Sequence, residues 1–393
     1  MVCDDSAVIR GLITRSLESD PEIQVVTTVP NGLMAINALP RFPVEVLILD
    51  IEMPVMDGLT ALPELIKAQP DLQIVMASTL TRRNADISMR ALAAGAADYL
   101  AKPTTTMALN AAADFKLQLA AKVKALGAAR RRSAGLRAPS RRAPEPQRAT
   151  EPQAAPAPAP VPSGDAQAPR PAFRTVPAAA PSVPAPGAKG PITLRPAPTE
   201  IPEIVAIGSS TGGPQALFTI LGALKPGIPQ PIVITQHMPA TFTTILAEHI
   251  ERASGIPTIE GGEGMPVQGG HIYVAPGDFH MVIEAQGPQR VIRLLKTPQE
   301  NFCRPSVDPM LRSLTKVYGR RVFAVILTGM GHDGLKGGEA VVAAGGAVIA
   351  QDEATSVVWG MPGAVALAGL CSAVIPLAEV APYIRRVAAR AAS

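Results

Sequence analysis

A chain of 393 residues can hold two ordinary domains and connecting material; its three cysteines, Cys3, Cys303 and Cys371, lie far apart without ligand or redox spacing, which excludes a disulfide framework or thiolate metal site and reads as small apolar residues of a reducing compartment. No apolar run reaches the roughly 20 residues of a membrane-spanning helix, and two carboxylates stand where a signal peptide would be basic, so a cytoplasmic protein without membrane insertion is expected. The net charge of +4 is concentrated between Arg130 and Thr199, where eleven Lys or Arg face three acids and leave 25 basic against 29 acidic residues elsewhere; with aromatics at 3%, no nucleic-acid binding by the folded parts is expected.

Along the first part of the chain, apolar runs alternate with helix-length stretches: Ile23–Val29, Val44–Asp50, Gln73–Ser78 and Ala97–Pro103. Runs without polar alternation predict a parallel sheet covered on both faces. Thr104 or Thr105 is placed to cap a long Ala-rich helix reaching about Leu126. Only Met1, Val2 and Cys3 precede the paired acids Asp4 and Asp5, so either the start is misassigned or the first strand is truncated, which weakens the sheet centre. In a doubly wound sheet the strand carboxyl ends share one edge, so Asp4, Asp5, Asp50 and Lys102 can meet there. Clustered carboxylates repel unless a cation binds among them, and a hard ion such as Mg²⁺ suits them. An Asp beside that ion is a candidate acceptor for phosphoryl transfer. For any one of these acids, simple helix capping is the competing reading.

The segments DDS, LILDIEMPVMDG, ASTL and DYLAKP together resemble a response-regulator receiver domain over residues 1–125. The resemblance implies Asp50 as phosphoacceptor, Mg²⁺ held by Asp4, Asp5 and Asp50, Ser78 as switch hydroxyl, Tyr99 as switch aromatic and Lys102 as phosphate partner.

From residue 126 to 200 the chain is rich in Pro, Ala and Arg and predicts a disordered tether, because it cannot bury enough surface to offset its ordering entropy. Apolar runs then return at Glu203–Gly208, Pro231–His237, His271–Pro276, Val322–Gly329 and Gly346–Gln351, a second α/β domain over 201–390. The first runs into Gly208-x-Ser210-x-Gly212 and then Pro214, a nucleophile elbow in strand-turn-helix context, which favours Ser210 over Ser209. The helix N-terminus offers free N–H groups for an oxyanion, with that of Thr211 the leading donor. His237 ends a buried-type strand and Asp333 follows another. If these strands are parallel, the three side chains emerge on one edge and can act as nucleophile, base and orienting carboxylate. Two other readings stay open: a dinucleotide site, since Gly329-x-Gly331-x-x-Gly334 also fits that fingerprint with Asp352 as ribose acid, and a binding module on a degenerate hydrolase fold. His249 reads as a solvated-face or interface residue, His332 as a local hydrogen-bonder, His280 as rim or structural, and Trp359 as loop packing.

The segments AIGSSTGGPQAL, ITQHMP, IYVAPGDFHM, LTGMGHDG and WGMPGAV resemble the catalytic domain of the chemotaxis protein-glutamate methylesterase (CheB) family. That resemblance implies two doubly wound, mainly parallel-sheet α/β domains, a flavodoxin-like receiver and a Rossmann-like methylesterase domain, joined by a disordered linker. It implies Ser210, His237 and Asp333 as the triad, with the Met330 backbone beside the oxyanion. Implied too are hydrolysis of glutamyl γ-methyl esters, deamidation of certain glutamines, methylated chemoreceptors as substrate and a chemotaxis histidine kinase as phosphodonor. No cofactor is implied for the esterase.

Overall fold

In a computed structural model of the chain, residues 1–79, 81–102, 109–133, 135 and 191–389 are described. The N-terminal lobe runs β1 (Val2–Cys3), α1 (Ala7–Glu18), β2 (Thr28–Val29), α2 (Gly32–Ala38), β3 (Val46–Asp50), α3 (Gly58–Ala68), β4 (Gln73–Ser78), α4 (Arg82–Ala93), β5 (Asp98–Ala101) and α5 (Leu109–Ser133). Its strands pair in parallel in the order β2-β1-β3-β4-β5, a doubly wound arrangement. Every residue of β3 is buried, as the unbroken apolar run predicts.

The expected strand Ile23–Val29 contracts to Thr28–Val29, because the central strand β1 offers only Val2 and Cys3 as ladder partners. β1 still bridges β2 and β3, and the Met1 amino group donates to Val46 O at 2.9 Å. Helix α5 continues past the expected end near Leu126 to Ser133, where Arg131 and Glu45 pair across to the sheet. The expected cap at Thr104 or Thr105, and residues 136–190 of the expected tether, lie outside the described residues. Towards the tether's far end, Arg195 N–H donates to Cys371 O at 2.8 Å.

The C-terminal lobe begins with β6 (Ile204–Ser209), α6 (Gly213–Ala223), β7 (Ile232–Gln236), α7 (Ala240–Ser254), β8 (Thr258–Glu260), β9 (Ile272–Val274), β10 (His280–Gln286) and β11 (Gln289–Leu295). It continues with α8 (Val307–Tyr318), β12 (Val322–Ile326), α9 (Leu335–Ala343), β13 (Ala347–Gln351), α10 (Met361–Leu367), β14 (Cys371–Ile375) and α11 (Leu377–Ala388). Its parallel sheet has the order β14-β13-β12-β6-β7-β9-β8. Chain order reverses between β12 and β6, and such a switch point opens a crevice at the strands' carboxyl ends. The antiparallel hairpin β10–β11, turning at Gly287 and Pro288, was not legible as part of a parallel pattern.

Candidate functional site

The three predicted groups leave three neighbouring strands at that switch point. β6 and β7 are in register up to Ser209 opposite Gln236, so Ser210 and His237 occupy the next place along the pair. β6 also pairs with β12, which leads through Thr328 into the loop carrying Asp333. Gly212, in a left-handed conformation (φ 76°), turns the chain into α6, and a Cβ there would lie 2.6 Å from Val357. Gly329 allows the β12 loop to close on the elbow, since a Cβ there would lie 2.9 Å from that of Ser210.

The two adjacent serines differ sharply. Ser209 is buried and donates to Gln236 Oε1 at 2.6 Å, while Gln236 Nε2 donates to the Ser210 carbonyl at 2.9 Å. Gln236 thereby ties the two strand ends together. Ser210 Oγ is partly exposed and has no hydrogen-bond partner among the described residues. The backbone N–H groups of Thr211 and Met330 are likewise without partners there.

Asp333 is almost wholly enclosed. Its Oδ1 accepts from Asn301 Nδ2 (2.8 Å), Ser306 Oγ (2.8 Å), Asp308 N (3.1 Å) and Gly334 N (2.9 Å), and its Oδ2 from Val307 N at 2.6 Å. Ser306, Val307 and Asp308 open α8, so the carboxylate takes the free N–H groups of a helix N-terminus. His237 Nε2 lies 2.7 Å from Asp333 Oδ2. Burial pushes the Asp333 carboxyl upward, but the His237 contact and these donors hold it below the usual carboxylate range. Asp308 in turn accepts from Gly334 N and Gly337 N at the start of α9, which ties the Asp333 loop to α8.

The other ring nitrogen of His237 faces Cys303 Sγ at 3.3 Å, and neither nitrogen is hydrogen-bonded to Ser210. Burial lowers the imidazole pKa, but Cys303 and Asp333 outweigh it and raise the value to about 10. Cys303 is therefore not the small apolar core residue expected from the sequence. Cys3 and Cys371 are, each buried with a thiol pushed up to about 12, chiefly by burial.

In the N-terminal lobe, Asp4, Asp5 and Asp50 each place an oxygen within 4.8 Å of the others, with Asp5 exposed and the other two buried. Lys102 Nζ lies 2.6 Å from Asp50 Oδ1 and 2.8 Å from Asp4 Oδ2. Burial raises the Asp50 carboxyl to about 6 against the pull of Lys102. Ser78 Oγ accepts from Ser88 Oγ at 3.2 Å at the end of the neighbouring strand.

Comparison with known proteins places this geometry in a family. The family model described as CheB methylesterase matches residues 205–384, and the response regulator receiver domain matches residues 1–114. A protein-glutamate methylesterase/protein-glutamine glutaminase of Rhodospirillum rubrum is 57% identical over 99% of this chain and 94% of its own length. One of Rhodospirillum centenum is 58% identical over 100% of this chain and 94% of its own length. The chain belongs to this methylesterase family. A crystal structure of the Thermotoga maritima CheB methylesterase catalytic domain is 41% identical, covering 47% of this chain and 98% of that one with a TM-score of 0.47.

Within this methylesterase architecture, the receiver's α4 and β5 lie against α6 and α7 of the catalytic lobe. Gln215, five residues after Ser210, donates through Nε2 to the carbonyls of Leu92 and Ala96, both at 2.8 Å. Tyr99 stacks on Phe242 with centroids 4.5 Å apart. His249 Nε2 lies 2.9 Å from Asp86, and Arg82 bonds Glu248 at 2.8 Å. His249 is thus a contact between lobes rather than a solvated-face residue.

His280 is structural, fully buried between the Pro298 carbonyl and Ser306 N–H. His332 makes no side-chain hydrogen bond among the described residues. Asp352 accepts from Thr355 in a local turn. Gly329 to Gly334 build the Asp333 loop, with Gly329 wedged against Ser210 and Met361. No helix among the described residues is long and apolar enough to cross a membrane. Asn301, Ser306 and Asp308 escaped the sequence reading and Cys303 was read only as a small apolar residue; the available signal was the mixed run NFCRPSVD directly before a helix.

Proposed function

We propose that this chain is a phosphorylation-regulated serine hydrolase that converts glutamyl γ-methyl esters of chemoreceptors to glutamate and methanol, and deamidates certain glutamines by the same route. The observation that carries the reading is the contrast at the elbow: a free, partly exposed Ser210 Oγ one register step from a His237–Asp333 pair. Full-length identity to proteins named for that activity supports the substrate class.

In this reading Ser210 Oγ attacks the ester carbonyl and His237 takes its proton, after releasing its contact with Cys303. The oxyanion lies against the N–H groups of Thr211 and Met330. His237 then protonates the departing methoxide, and methanol leaves an acyl-Ser210. Water, deprotonated by His237, releases glutamate and restores the serine. Asp333 keeps the imidazole oriented throughout.

Receiver domains use a divalent metal for phosphorylation, and here Mg²⁺ would be held by Asp4, Asp5 and Asp50, where three converging carboxylate oxygens fit a hard cation. When bound it neutralises charge on the incoming phosphoryl group. Asp50 then attacks phosphorus, with Lys102 against the phosphate, and a chemotaxis histidine kinase is the donor. The added negative charge of roughly two units draws Ser78 and Lys102. Tyr99, stacked on Phe242, carries that change to α7, which starts three residues after His237. Loss of the α4 contacts uncovers the catalytic lobe. A cytoplasmic location agrees with both roles. The deciding experiment is methanol release from methylated receptor membranes with and without a small phosphodonor; no release under either condition refutes the assignment.

A further inference from the structure

We propose that Cys303 is a positioning residue that holds the imidazole of His237 off Ser210 and so sets the resting state of the hydrolytic site. The inference rests on the roles given above to Ser210 and His237. An imidazole has two nitrogens, and here both are engaged, by Asp333 Oδ2 at 2.7 Å and Cys303 Sγ at 3.3 Å. A base for Ser210 needs one of them free. The Asp333 contact is the wrong one to open, since that carboxylate is fixed by five further hydrogen bonds. A contact to sulfur is weaker and this one is longer, so Cys303 is the partner that yields.

The local backbone is built to present this sulfur. Asn301 and Phe302 both adopt left-handed conformations (φ 53° and 61°), a region that residues other than glycine seldom enter and that is strained for Phe above all. That twist turns Asn301 inward onto Asp308 and Asp333, turns Cys303 inward onto His237, and leaves Phe302 91% exposed between them. Paired backbone hydrogen bonds between Glu300 and Cys303 close the turn, and Arg304 anchors its far side to Asp278 and the Thr297 carbonyl. A loop that serves packing alone has no reason to keep an apolar side chain in water while pointing a thiol at an imidazole.

The titratable groups touching the ring are Asp333 and Cys303, with Asp308 behind Asp333. With the sulfur removed, one of the influences that raise the imidazole pKa disappears. The test uses the full-length protein with ¹³C-labelled histidine, the His237 resonance being assigned with His237→Gln. In Cys303→Ala, the His237 titration is expected to move down by at least one pH unit. The acid limb of the methylesterase pH profile should move with it, and kcat near pH 7 should rise several-fold at unchanged KM. Cys303→Ser keeps a polar atom facing the ring and should fall between the two. An unchanged His237 titration in Cys303→Ala overturns the proposal, as does a lower kcat with an unmoved pH profile. The titration needs no turnover, so a protein without esterase activity would refute the functional reading and still decide the role of Cys303.

Discussion

Asp50 ends the buried parallel strand β3 and Asp333 sits in the loop that follows the buried parallel strand β12, both on the carboxyl-end side of their sheets, and burial acts on both in the same direction. Their outcomes are opposite. Asp50 is raised to about 6 because its opposing partner is essentially one lysine, whereas Asp333 is held below the usual range by His237 and by the N-terminus of α8. The difference suits the roles proposed for them: a phosphoacceptor must be reachable and able to change partners, so its surroundings are left unsaturated. An orienting carboxylate must not move, so every lone pair is committed. The same sheet edge serves both tasks, and the count of fixed donors decides which.

The comparison breaks most visibly at the proposed nucleophile. Ser210→Ala should lower methanol release by on the order of 10⁶-fold, while Ser209→Ala, at the buried neighbour bonded to Gln236, should leave most of the rate. Comparable losses for the two would erase the distinction drawn between them. Next in size is Asp333→Asn, expected to cost about 10³–10⁴-fold in kcat and to lower the unfolding midpoint, because donors of α8 lose an anionic partner. With a depressed folded pKa, the stability that wild-type Asp333 contributes is present above the ordinary carboxylate pKa near 3.8 and is lost as pH falls through the lower folded value. A denaturation series that shows no difference between wild type and Asp333→Asn at pH 7 would contradict the network.

Asp50 provides the converse. Its proton competes with a cation, so Mg²⁺ affinity measured by calorimetry should be flat above pH 7 and fall by about tenfold per pH unit below pH 6. Raised in the folded state, the Asp50 carboxyl favours folding when protonated, and that contribution is lost as pH rises through about 6. Asp50→Asn should therefore tolerate pH 8 at least as well as wild type, and a large loss of stability there would show that the acid is structural. The smallest expected effect concerns the lobes' contact: Gln215→Ala removes two hydrogen bonds to the receiver and should raise basal, unphosphorylated esterase activity by a few-fold. Unchanged basal activity in both Gln215→Ala and Phe242→Ala would argue against inhibition through this face.

The sequence alone determined the parallel sheets, since unbroken apolar strands such as Val46–Asp50 and Ile204–Ser209 have no polar face to offer water. It also placed Ser210, His237, Asp333, Asp50 and Lys102 at strand ends, because turn glycines and polar residues after apolar runs are local signals. Only the tertiary structure decided the partners. That Ile23–Thr27 forms no strand depends on how many residues β1 can offer it. That Cys303 rather than Ser210 meets the imidazole depends on a loop 66 residues away in sequence, bent by two left-handed residues that have no glycine to announce them. Periodicity reports which face of an element is buried, whereas a hydrogen bond across the fold is set by loop conformation and by competition among groups that no local pattern ranks.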